Sequence, residues 1–264
     1  MKYVLVTGAN GGMGKAVVDM LVKNGYIVFA ADKEECPARE NVTSLLCDVT
    51  DPQNVAAAFD AVRAVTDGLC AIINLAGIYT LDSLVEITPR EFERVFRVNL
   101  GGAFLVNRTF LPLLKSGARI ITVTSELAAT CPLPFTGLYA VTKTALDRYC
   151  CSLRMELQLL GISVSVLRAG AVDTGMIGES TKKLDGFCRG TKLYSCNAKR
   201  FKDVVDRVES RRVPPERISG KICRILDAKK PRFAYSVNRN PLLKLFDLLP
   251  ESARFFIIRR ILKK

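Results

Sequence analysis

The chain has 264 residues, 49% of them apolar, enough to bury a full hydrophobic core. It carries a net charge of +13 and no histidine, which excludes histidine–cysteine zinc sites. No apolar run approaches the ~20 residues of a membrane span and nothing at the start resembles a signal peptide, while the nine cysteines are scattered without a CxxC pair, so a cytoplasmic protein with reduced thiols is expected.

The first element is a buried-type strand, Tyr3-Val-Leu-Val-Thr-Gly8. A glycine-rich turn follows, Thr7-Gly-Ala-Asn-Gly-Gly-Met-Gly14. A helical pattern then runs through Val17, Val18, Leu21 and Val22 and stops at Gly25. Strand, glycine turn and helix together make a phosphate cradle. The glycines let the backbone approach a ligand, and the helix N-terminus offers free N–H groups and a positive dipole. The expected contacts are Gly8, Asn10, Gly11, Gly12, Met13 and Gly14. A second strand, Ile27–Ala31, ends at Asp32, roughly 20 residues past the turn, where an acid accepts from ribose hydroxyls and repels a 2′-phosphate. NAD is therefore the preferred dinucleotide. Lys15 and Lys33 keep NADP as the alternative.

Further strand–helix units follow, and they predict an α/β fold with a doubly wound parallel sheet. Ser44-Leu-Leu-Cys-Asp48-Val49 reads as a third strand and Ile72-Ile-Asn74-Leu-Ala76-Gly77 as a fourth. Asn99 lies in Arg97-Val-Asn-Leu-Gly101. The run Arg119–Ser125 reads as a strand ending in a hydroxyl. Tyr139 and Lys143, four residues apart, share one face of a helix that should run to about Leu157 and stop at Gly161. At about 4.5 Å and an effective dielectric of ~20, the ammonium would favour the phenolate by ~3–4 kcal/mol and bring a phenol near ~10 towards neutrality. A further strand, Ser163–Leu167, leads into Arg168-Ala-Gly-Ala-Val-Asp-Thr174.

These motifs, in this order and spacing over about residues 3–174, resemble the short-chain dehydrogenase/reductase family. The resemblance implies a Rossmann fold and hydride transfer between NAD(P) and a secondary alcohol or ketone. It implies Tyr139 as acid/base, Lys143 lowering its pKa and holding the nicotinamide ribose, Ser125 steadying the substrate oxygen, and Asn99 holding a relay water. It further implies cofactor contacts at Asp48, Val49, Asn74, Ala76, Gly77, Ala171, Val172 and Thr174. Leu75 replaces the family's second asparagine. Arg168-Ala replaces its usual proline before Gly170, which predicts a less pre-organised backbone on the nicotinamide side.

The remaining third is basic. Residues 1–174 hold 16 Lys/Arg against 17 Asp/Glu, whereas residues 175–264 hold 23 against 9, so the excess charge is a property of one region. Residues 175–212 read as a substrate loop, with Met176, Ile177, Leu184, Phe187, Leu193 and Tyr194 as pocket candidates. A helix from Pro214 and a last strand, Phe233–Val237, complete a body of residues 1–240. The tail, 241–264, reads as two short basic amphipathic segments. Leu242, Leu245, Phe246 and Leu249 form one apolar face; Phe255, Ile258 and Leu262 form another. These faces suit a membrane interface, the mouth of a lipophilic pocket, the protein's own core or a partner subunit. The expected substrate is a small lipophilic alcohol or ketone (sterol, retinoid or long-chain compound), as in hydroxysteroid- and retinol-type members. The expected assembly is a homodimer or homotetramer. No nucleic-acid reading helix or aromatic ladder accompanies the charge. The rival readings are a 3-oxoacyl-carrier-protein reductase and a catalytically silent NAD(P) sensor.

Overall fold

The computed structural model describes residues 1–37, 39–174, 184–208 and 212–263. Met176 and Ile177 lie outside these. Seven strands form one parallel sheet: β1 (Lys2–Thr7), β2 (Tyr26–Asp32), β3 (Val42–Leu46), β4 (Leu69–Asn74), β5 (Leu114–Ser125), β6 (Ser163–Ala169) and β7 (Ala234–Val237), in the spatial order β3-β2-β1-β4-β5-β6-β7. The order reverses between β1 and β4, and that switch point opens a crevice at the strands' C-terminal ends.

Because successive strand residues face opposite sides, the sheet splits its apolar residues between two cores. Leu5, Phe29, Ile72 and Ile120 pack on one side with α2 (Pro52–Arg63), α4 (Gly102–Phe110) and α5 (Gly137–Leu157). Val4, Val6, Val28, Ile73 and Ile121 pack on the other with α1 (Gly12–Lys23) and α7 (Glu216–Asp227), which supply Val17, Leu21, Ile218 and Ile222. Near-continuous apolar strands are what a sheet covered on both faces requires. Gly161 ends the α5 region in the left-handed conformation, φ 73°, as its glycine predicts.

Two readings need correction. The third strand stops at Leu46, so Asp48 and Val49 lie in the turn beyond it. The stretch read as a substrate loop is largely helical where described: residues 184–190, then α6 (Ser195–Val208). Its inner residues Leu184, Phe187, Ala198, Phe201 and Val205 join Leu81 and Leu262 in a third core, against which Phe135 and Tyr194 pack. The Lys/Arg-rich outer face masked this periodicity in the sequence.

The tail forms α8 (Pro241–Asp247) and α9 (Glu251–Leu262). Leu243 and Leu262 are buried, and Asn197 Nδ2 donates to Leu262 O at 2.6 Å, so the tail packs on its own chain. The apolar faces divide differently from the expectation: Leu243, not Leu242 or Leu245, points inward, and Phe255 is outside while Ile258 is packed. Among the described residues no helix is long and apolar enough to cross a membrane.

Candidate active site

The glycine turn sits at the end of β1. Gly8 has φ 68°, and a Cβ there would lie 2.7 Å from the Ala76 N. At Gly14 a Cβ would lie 2.1 Å from the Gly8 carbonyl. Only glycine lets β1, α1 and the segment after β4 approach this closely. The first turn of α1 has no side-chain cap, which leaves its N–H groups for a ligand. Asp32 ends β2 beside it, its Oδ2 accepting the Asn10 N–H at 2.9 Å. Across the crevice, Thr174 lies against Gly12, whose Cβ would come within 2.7 Å of it. Met13, Ala171, Val172 and Thr174 line a cavity of about 290 Å³ that opens from this crevice. Glycine cradle, bare helix terminus and an acid at the end of β2 fit a dinucleotide.

Ser125, Tyr139 and the tail meet on the same cavity. Ser125 closes β5, its Oγ accepts the Leu127 N–H at 3.2 Å, and its hydroxyl bonds that of Tyr139. The Tyr139 ring stacks edge-on against Tyr79 at 4.9 Å. Lys143 is buried one turn along, with Nζ 5.8 Å from the centre of the Tyr139 ring and 3.5 Å from the Val123 carbonyl. Asn99 is 0% exposed. It sits in a π-helical turn, Arg97–Gly101, between α3 (Pro89–Phe96) and α4. Its Oδ1 accepts the Ile78 N–H at 2.8 Å, and its Nδ2 donates to Ile78 O at 3.0 Å and Thr142 Oγ1 at 3.1 Å. It therefore clamps the segment after β4 to α5. Gly77 completes the arrangement, since a Cβ there would lie 3.2 Å from both Asn99 Oδ1 and Lys143 Nζ.

Burial opposes the acidity expected of the phenol. Burial pushes Tyr139 up to about 12, against a smaller opposing effect of the Ser125 hydrogen bond. Burial brings Lys143 down to about 8.

The other sequence-predicted residues have partners within the chain. Asn74 turns inward, its Nδ2 donating to Asn107 Oδ1 at 2.9 Å and Thr122 Oγ1 at 3.3 Å, so its side chain ties β4 to its neighbours rather than facing the crevice. The Asp48 carboxylate is engaged by Thr50 N and Oγ1, both at 2.8 Å. Val49 is buried against Gly102. Lys33 is exposed, 4.0 Å from Glu34. Leu184, Phe187, Leu193 and Tyr194 do not line the catalytic cavity; Phe201, Val204, Val205 and Leu243 do. Sequence reasoning passed over Glu126, Thr136 and the Asn238–Asn240 turn, which also line it. The i, i+4 pair Phe201/Val205 was the available signal for α6, whereas nothing local marks the turn.

The backbone after β6, where the sequence lacks the family's proline, is tied down by hydrogen bonds. Gly170 N donates to Val237 O at 2.9 Å, Val213 N to Ala171 O at 3.2 Å and Asp173 N to Val213 O at 2.8 Å. Asn238 Nδ2 donates to Ala171 O at 2.8 Å. Arg168 adds a bidentate pair to Asp147 on α5, Nε to Oδ1 at 2.9 Å and the terminal nitrogen to Oδ2 at 2.8 Å.

A family profile described as short chain dehydrogenase matches residues 2–185. Estradiol 17-beta-dehydrogenase 2 of Mus musculus is 36% identical over 193 residues, covering 67% of this chain and 50% of that protein, so the chain spans about half the length of this curated relative. The NADPH-dependent 3-dehydrocapnine reductase of Ornithobacterium rhinotracheale is 26% identical over 281 positions, covering 100% of this chain and 98% of that one. Among solved structures, a short chain dehydrogenase family protein from Francisella tularensis subsp. tularensis SCHU S4 has the same fold, with a TM-score of 0.77 at 22% identity over 90% of this chain and 98% of that one.

Proposed function

The chain belongs to the short-chain dehydrogenase/reductase family, and on that premise we propose that it is an oxidoreductase interconverting a secondary alcohol and a ketone with NAD(P). The observation that carries this reading is the meeting of Ser125 and Tyr139 in a cavity that Met13 of the glycine turn and Thr174 also line, with Lys143 behind them. A nicotinamide dinucleotide, when bound, supplies or accepts the hydride. Gly8 to Gly14 would cradle its phosphates and Asp32 its adenosine ribose. Ala76, Gly77, Ala171, Val172 and Thr174 would border the nicotinamide half, with Asp48 and Val49 near the adenine. Tyr139 gives its proton to the substrate oxygen in reduction and takes it back in oxidation, while Ser125 holds that oxygen. Lys143 supplies positive charge beneath the phenol and a donor for the ribose. Asn99 acts by fixing the Gly77–Ile78 backbone against α5, and its relay water belongs to this proposal.

NAD is favoured because the Asp32 carboxylate repels a 2′-phosphate; the exposed Lys33, and the relative named for NADPH, keep NADP as the alternative. Leu127, Leu133, Phe201, Val205 and Leu243 make the cavity wall apolar, which supports a lipophilic substrate. Leu242, Leu245, Leu248, Phe255 and Phe256 are 62–81% exposed beside Lys244, Arg259 and Arg260, which supports a cytoplasmic enzyme touching a membrane surface through its tail. A homodimer or homotetramer is the proposed assembly. The test is loss of reduced-nicotinamide absorbance when purified protein meets NADH or NADPH and a panel of sterol, retinoid and long-chain ketones. Turnover with NADH supports the reading. Tight dinucleotide binding with no turnover on any ketone or alcohol favours the sensor instead.

A further inference from the structure

The cavity holds a charged group that the proton-transfer scheme does not use. Glu126 directly follows Ser125, and both line the cavity. Consecutive Cα atoms are about 3.8 Å apart, so the carboxylate stands within one side chain of the group that would hold the reacting oxygen. Its Oε2 accepts the Asn240 N–H at 2.7 Å. Its Oε1 has no donor among the described residues and lies towards the end of β6, 3.2 Å from where a Cβ on Gly170 would be. The nearby Arg239 is turned to Asp247, 3.8 Å away, and its Nε makes no hydrogen bond.

Glu126 shares the cavity wall with Leu127, Leu133 and Leu243 and with Thr136, Asn238, Arg239 and Asn240, and its Oε1, which takes no donor among the described residues, is left as an acceptor for a ligand. Burial holds the Glu126 carboxyl above its usual range, with the Asn240 N–H and the Arg239 charge opposing it. A purely structural tether to the Asn240 turn would need one oxygen, and one oxygen is used.

Resting on the oxidoreductase reading above, we infer that Glu126 is the polar half of the substrate subsite. Its free Oε1 accepts a hydrogen bond from a hydroxyl or protonated amine carried beside the reacting carbon, while the apolar remainder of the substrate lies along the leucine wall. The substrate class is then a lipophilic ketone or secondary alcohol with an adjacent hydrogen-bond donor.

The full chain with NADH is assayed on three medium-chain substrates of equal length: a methyl ketone, its hydroxymethyl ketone and its aminomethyl ketone. Glu126→Gln keeps an acceptor for the Asn240 N–H but presents an amide nitrogen to the cavity; Glu126→Leu removes both. Hydrogen bonds to a charged partner predict that kcat/KM and affinity for a donor-bearing substrate exceed those for the methyl ketone by about 10- to 100-fold. Glu126→Gln should erase that preference while leaving the methyl ketone and the melting temperature unchanged, and the hydroxyl and amine arms identify the donor. Equal handling of all three by the wild type, or an equal loss on all three in Glu126→Gln, overturns the subsite and leaves hydride transfer standing. Calorimetric titration of the NAD-loaded protein with the same compounds reads the preference without turnover. Binding preference without any reduction would sink the hydride reading and keep the subsite.

Discussion

Replacing Arg168 with methionine tests how the nicotinamide side of the site is held. Asp147 is 5% exposed and its carboxylate is matched by both guanidinium bonds, with only a long 3.4 Å contact from Thr124 Oγ1 besides among the described residues. Removing the guanidinium strands a buried charge, a change that costs about 3–5 kcal/mol. The Arg168 side chain is 25% exposed, so water can partly replace it and the lower end of that range applies. At about 2–4 °C per kcal/mol, the melting temperature should fall by roughly 6–12 °C. The pair also joins β6, which runs into Gly170–Thr174, to α5 one turn beyond Lys143, so dinucleotide affinity should weaken as well. Adding Asp147→Leu should restore most of the melting temperature, because an apolar pair of similar volume replaces a buried ion pair at little cost. Calorimetric melts of wild type, single and double variants decide it. A single variant melting within about 2 °C of wild type would refute the reasoning, as would a double variant no better than the single.

Gly14→Ala places a Cβ 2.1 Å from the Gly8 carbonyl, so dinucleotide binding measured by calorimetry should be lost or weakened at least about tenfold as the cradle opens. Unchanged affinity would show that the turn is not the phosphate site. Burial brings Lys143 down to about 8 in the fold against 10.5 in water, so holding it charged costs the folded state about 3 kcal/mol at neutral pH. Between those two values the unfolded chain binds the extra proton, and stability gains from this group as pH rises from about 8 towards 10.5. Lys143→Met should accordingly melt higher than wild type at pH 7 while losing turnover, a trade of stability for function that paired melts and rate assays would expose. Wild-type dinucleotide affinity should also fall as pH passes through about 8, where the ammonium is lost.

The sheet and its crevice were legible because both rest on local chemistry. Apolar strands and the glycines from Gly8 to Gly14 state their own conformations, and Tyr139 and Lys143 share a helix face by spacing alone. The side-chain placements that were not legible depend on distant partners. Asn74 turns inward because Asn107 and Thr122, 33 and 48 residues away, offer it hydrogen bonds. A sequence shows the lysine's charge but not the burial that opposes the phenol's acidity. The helix Ser195–Val208 was hidden by its basic outer face, and the turn carrying Asn240 is defined by Glu126, 114 residues earlier.

The most direct test of the central claim is Tyr139→Phe, followed by single-turnover reduction of a ketone with NADH and by calorimetric titration of the dinucleotide. The ring keeps its packing against Tyr79 while the proton disappears. The account predicts turnover lowered by at least about 10²–10⁴-fold, the usual worth of a general acid, with dinucleotide affinity within a few-fold of wild type. Turnover within a few-fold of wild type would contradict it.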